Sequence, residues 1–172
     1  TSRTMWQLNT ERTAALVALQ MRRDLRELGD VLAEAFPSVP HRVGARYGEL
    51  VELGAARGQV HGLTHMLALA RYLACWFMLG SEFETRPQHA WAMSILGDAK
   101  RDEGAKVFQL CRRCREELET LSRTATAQAP LPPDAFDKAL VVVDMALSRR
   151  GRLSTLLARQ RLRLGAACDI DA

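Results

Sequence analysis

Residues 63–80 read LTHMLALARYLACWFMLG, and between Met66 and Leu79 the only charged side chain is Arg71. A helix that is apolar all round has to be wrapped by other elements or by lipid. A bilayer span needs about 20 consecutive apolar residues, and this run is shorter, with His65 and Arg71 inside it. The stretch therefore predicts a central helix buried in a protein core, with no membrane insertion. The flanking chain must supply its wrapping.

Upstream, Ala14, Ala18, Met21, Leu25, Leu28, Leu32 and Ala35 recur in alternating fours and threes. That is a helical seam with period near 3.5. The spacing predicts a helix starting at Thr10, with Asn9 or Thr10 as its N-cap. It ends at Phe36-Pro37, because a residue before proline is pushed out of the α region. Gly29 is a blemish inside it, costing up to about 1 kcal/mol relative to alanine. The heptad-like seam leaves open a homodimer, in which a second copy closes part of the apolar surface. A second helix is predicted from His41 to Arg57, with Val43, Tyr47, Leu50, Val51 and Gly54 as its apolar stripe. Gly44, Gly48, Gly54 and Gly58 make it poor by propensity, but small residues at that spacing permit close approach to a neighbour. Residues 58–62 read as a turn.

Downstream, residues 81–87 form a short acidic and aromatic connection, and Pro87 suits the first position of a new helix through Trp91 and Ile95. The next helix is predicted over 100–126, with Val107, Cys111, Cys114, Leu118 and Leu121 on its seam. The Pro-rich run 129–133 is the clearest break. Beyond it, Asp134 is placed as the cap of a helix carrying Phe136, Leu140, Val143 and Leu147. Residues 149–152 (RRGR) are expected to interrupt or bend it, and Leu153 to Leu164 to resume helical spacing before a frayed end. The chain has 172 residues, 48% of them hydrophobic, enough for one domain with a real core. The fold expected is all-α, a single-domain bundle of five to seven helices around the central one. Residues 1–129 make its core, and the Arg-rich segment 130–172 packs on it.

Chemistry is thinly marked. Cys111 and Cys114 form a CxxC, a spacing used by redox centres and zinc sites, but both sulfurs fall on an apolar helical seam. They read as small buried hydrophobes. His61 and His65 are four apart without the intervening glutamate of the zinc hydrolases, and a third ligand would have to be His89, Cys75 or a carboxylate. Glu82 with Glu84, and Glu116 with Glu117, read as solvated surface. No nucleophile elbow, phosphate loop, dinucleotide fingerprint or calcium loop occurs. The expectation is a protein without catalytic activity, cofactor or resident metal. No cleavable leader is visible at the start, and helical cysteines suit a reducing compartment, so the expected location is cytoplasmic.

Only Lys100, Lys106 and Lys138 are lysines; every other strongly basic residue is arginine. Six arginines and no acid lie between residues 149 and 163. Arg152, Arg159 and Arg163 share one helical face there, and Leu153, Leu156, Leu157 and Leu164 occupy much of another. Such a helix reads first as a solvated amphipathic surface, next as a dock for an acidic protein partner, and last as a grip on the phosphates of nucleic acid. A nucleic-acid-binding regulator is the rival reading, but no helix-turn-helix spacing supports it.

The order Gly62-Leu63, Arg71-Tyr72, Leu79-Gly80, Phe83, Pro87, Trp91-Ala92 and Ile95-Leu96 resembles a family of small helical proteins. That family is associated with bacterial type VI secretion effector and spike gene clusters. The resemblance covers residues 10–120; the segment after Pro130 has no counterpart in it. Members carry an acidic residue beside the phenylalanine, matched by Glu84, and another before the proline, from which Arg86 departs. The resemblance implies an accessory role, as chaperone or adaptor for a secreted effector, with an immunity protein that neutralises a toxin as a variant. The surface expected to bind the partner joins Phe83, Pro87 and Trp91 to Arg152, Arg159 and Arg163, aromatic anchors inside an arginine rim.

Overall fold

The computed structural model describes residues 2–124 and 131–168, with side chains over 9–124 and 131–151. Among the described residues the chain is all-helical: α1 (Ser2–Ala35), α2 (Ser38–Val43), α3 (Tyr47–Val60), α4 (Met66–Leu79), α5 (Ala90–Leu96), α6 (Glu103–Arg123) and α7 (Pro133–Cys168). Short 3-10 turns at Gly44–Arg46, Phe83–Thr85 and Pro87–His89 join them. No helix among these residues is long and apolar enough to cross a membrane.

The centre is α4, as its composition requires. From Ala68 to Leu79 every residue except Arg71 is buried, and α1, α3, α6 and α7 pack around it. Arg71 sits at the rim, where its guanidinium meets Asp144 of α7 at 3.1 Å. The wrapping helices contribute Leu28, Val31 and Leu32 from α1, Val107, Leu110, Cys114 and Leu118 from α6, and Phe136, Ala139, Val143 and Ala146 from α7. On α7 the buried face is turned toward Ala139 and Ala146, and the expected Leu140 and Leu147 are only partly buried at its edge. Residues 131–151 are therefore part of the same core. Phe36, just past α1, ties three of these helices together, meeting Phe77 edge-on at 5.7 Å and Phe136 at 6.4 Å.

Several boundaries differ from the sequence reading, each for a local reason. Helix α1 begins at Ser2, because nothing in SRTMWQL breaks a helix; Asn9 is an interior position whose carbonyl accepts from the Thr13 hydroxyl. The predicted helix from His41 is split after Val43, where Gly44 adopts φ +66°. The first half of α7 starts on Pro133, and its helix runs unbroken past 149–152. One glycine costs too little to stop a helix anchored upstream. The buried face of α1 also begins later than its seam: Ala14, Ala18 and Met21 are exposed, and burial starts only near Leu28.

The approach of α3 to α4 is close. A Cβ placed on Gly54 would lie 2.0 Å from Leu73 Cδ2, and one on Gly58 would lie 2.8 Å from Leu69 Cδ2. The glycines that weaken α3 by propensity are what let it pack.

At the start of α4 the cap comes from elsewhere in the chain. Glu103, the first residue of α6, accepts from the backbone N–H of His65 at 2.8 Å and of Thr64 at 3.2 Å, and pairs with the His65 ring at 2.8 Å. A carboxylate at a helix N-terminus satisfies orphan donors and complements the dipole. Burial alone would raise the Glu103 pKa, but the His65 and Thr64 hydrogen bonds reverse this and lower it to about 2. Glu103→Ala is expected to cost about 1–2 kcal/mol of stability at neutral pH. Because the folded pKa is depressed, that contribution is present above about pH 4 and fades as pH falls toward 2. Urea unfolding of both chains at pH 7 and pH 2.5 checks it; equal gaps at the two pH values would contradict the cap.

Candidate functional site

After α4, Gly80 (φ +96°) and Glu82 (φ +53°) turn the chain back on itself. Left-handed backbone at a non-glycine residue is costly, and here it drives the next two side chains inward. Phe83 is fully enclosed, with Tyr72, His89 and Trp91 around it at ring distances of 6.0–6.3 Å. Glu84 is 1% exposed. Its Oε1 accepts from Tyr72 Oη at 2.8 Å, Arg57 Nε at 2.9 Å and His61 Nε2 at 3.0 Å. The Trp76 indole donates to the Tyr72 hydroxyl at 3.0 Å, extending the network, while Glu84 Oε2 is buried without a partner.

Burial pushes the Glu84 pKa up, but the Arg57, His61, own-backbone and Tyr72 hydrogen bonds prevail and hold it below its ordinary value. The same surroundings push Tyr72 up, burial first and the bond to Glu84 next. An ionised carboxylate thus sits inside the bundle, joining α3, α4 and the loop after α4. This overturns the reading of Glu84 as solvated surface.

It also moves the expected partner surface. Phe83 is a core residue, so Phe83→Ala would report on folding, at a cost of about 3–5 kcal/mol, and not on docking. Pro87 is exposed and Trp91 half-buried, its ring covered by the Arg113 guanidinium at 5.1 Å. Arg152, Arg159 and Arg163 lie on α7 outside the residues whose side chains are described. The three histidines weighed as a metal set are scattered: His61 on Glu84, His65 on Glu103, His89 against the Phe83 carbonyl. No group of three metal-binding side chains occurs among the described residues. Cys75, Cys111 and Cys114 are buried together, with Cys75 and Cys111 sulfurs 4.0 Å apart. Hydrogen bonding to Cys111 and Cys114, and then burial, pushes the Cys75 thiol well up, away from the thiolate form that reacts.

The surface that calls for explanation is on α1. Leu16 is 67% exposed, Val17 54%, Leu19 60% and Met21 49%, on a helix that is apolar on most sides over this stretch. Met21 leads into a groove of about 320 Å³ between α1 and α3, closed at one end by the start of α4. Leu25, Leu28 and Leu69 floor it, Asp24 stands on the α1 wall and Glu52 on the α3 wall. The charged residues lining it, among those described, are both acidic, in a chain of net charge +4.

No family model matches the chain, and no curated protein or solved structure matches it.

Proposed function

We propose that this protein is a protein-binding accessory module, and that the projecting apolar part of α1 is where its client docks. The observation that carries this reading is the run Leu16, Val17, Leu19 and Met21, 49–67% exposed on a helix whose residues 9–23 are all left uncovered. Contiguous exposed apolar surface of this kind marks interaction sites, and helices are commonly recognised by such anchors. The resemblance of residues 10–120 to helical proteins of secretion clusters favours a secreted effector or toxin as the client, and a chaperone or adaptor role.

The test is an affinity pull-down from the native cell with the full chain and with Leu16→Glu/Leu19→Glu, followed by mass spectrometry. Both leucines are exposed, so the double variant keeps the fold. One protein recovered in stoichiometric amount, and lost with the variant, is the expected result. Recovery of nucleic acid by both chains, or of the same protein by both, would overturn it.

A further inference from the structure

The groove between α1 and α3 has an apolar floor about two helical turns long, since Met21 and Leu28 are seven residues apart at about 1.5 Å each. An amphipathic helix of that length with arginines on both borders of its apolar stripe would fill it and meet Asp24 on one side and Glu52 on the other. Glu52 makes no ion pair among the described residues. The chain itself contains such a segment. At helical spacing, Leu153, Leu157 and Leu164 form one stripe, Arg152, Arg159 and Arg163 border it on one side, and Arg161 on the other. Leu157 and Leu164 are again seven residues apart.

A chain cannot insert this segment into its own groove. Helix α7 is continuous from Pro133 to Cys168. It is anchored in its own core through Phe136, Val143 and Ala146 and to α1 by the Arg149–Glu34 ion pair. Leu147 and Arg150 lie beside Arg23, Arg26 and Glu27. At about 100° per residue, these sit on the flank of α1 away from Met21, Asp24 and Leu28. Reaching the groove would mean breaking α7.

We propose that the acid-rimmed groove between α1 and α3 receives the arginine- and leucine-bearing end of α7 from a second copy of this chain. Reciprocal exchange makes a closed two-fold dimer in which both grooves are filled. Met21 borders both surfaces. Leu16 and Leu19, the residues changed in the client test, are turned away from Asp24 and Leu28 on α1 at about 100° per residue, so the dimer and the client reading fail separately.

Sedimentation equilibrium of the full chain tests it. A monomer–dimer equilibrium is expected, and Asp24→Arg/Glu52→Arg should weaken it by about tenfold or more, since like charges would then face each other. Adding Arg159→Glu/Arg161→Glu/Arg163→Glu to the same chain should restore much of the association. A synthetic peptide of residues 150–168 should shift the unmodified chain toward monomer, a readout that needs no variant to fold. A chain that stays monomeric at every concentration would overturn the proposal. So would a dimer indifferent to the peptide.

Discussion

Replacing Glu84 by alanine is expected to lower the unfolding free energy by about 3–5 kcal/mol, the range for removing one partner of a buried charge pair. That is a large share of the roughly 5–15 kcal/mol that holds a domain together. Three donors lose their acceptor at once: Arg57 Nε, His61 Nε2 and Tyr72 Oη all end on Glu84 Oε1. The loss reaches further, because the carboxylate is what pins the turn after α4 to α3 and α4. Glu84→Gln keeps the shape and one acceptor and should cost less, while Tyr72→Phe should cost about 1–2 kcal/mol by stranding the Trp76 indole. Denaturant unfolding followed by circular dichroism at pH 7 orders the three. Glu84→Ala within 0.5 kcal/mol of the parent, on the order of an ordinary surface change, would show that no charge is held there.

The pH dependence separates charge from shape. The folded Glu84 pKa lies below its ordinary value, so its contribution is complete above the unfolded carboxylate pKa of about 4.3 and is lost as pH falls through the folded value. The gap between parent and Glu84→Gln should therefore be widest at neutral pH and narrow in acid. Glu103 titrates on the same side, so acid unfolding of the parent draws on both carboxylates, and each single variant should flatten part of the curve. A gap that widened in acid would reverse the sign and remove the ionised carboxylate from the interior.

The helices and their buried faces were legible because they are local patterns. The apolar run 66–79 could not be solvated, and the stripes of α6 and α7 repeat at helical spacing. Glu84 was not legible, because what makes it special lies 12, 23 and 27 residues away in Tyr72, His61 and Arg57. A glutamate next to serine, threonine and another glutamate looks solvated until a left-handed turn at Glu82 points it inward. The same turn hid Phe83. The exposed stretch of α1 was half legible: the seam from Ala14 to Ala35 was visible, but not where the bundle stops covering it. Continuity of α7 through 149–152 was missed because a glycine among arginines resembles a break, while propensity there is worth only about 1 kcal/mol.

Within α3, alanine substitutions at two glycines are expected to act with opposite signs. Gly48 faces open space, so Gly48→Ala should stabilise by up to about 1 kcal/mol through helix propensity alone. Gly54→Ala gains the same propensity but places its Cβ 2.0 Å from Leu73 Cδ2 and 3.2 Å from Trp76 Cε3. Leu73 is wholly buried, so its methyl has little room to rotate away, and overpacking of this kind costs about 1–3 kcal/mol. The net for Gly54→Ala is a loss of about 1–2 kcal/mol. Gly54→Val, with two more methyl groups and a stiff side chain, should lose about 3 kcal/mol or more. Thermal and denaturant unfolding of the three variants decides between packing and propensity. Stabilisation by Gly54→Ala would mean that α3 does not press on α4 at this position. The distance matters beyond stability, because α3 carries both Arg57 to the Glu84 carboxylate and Glu52 to the wall of the α1 groove. A Gly54 variant that still folds should therefore loosen the interior ion pair and the groove together.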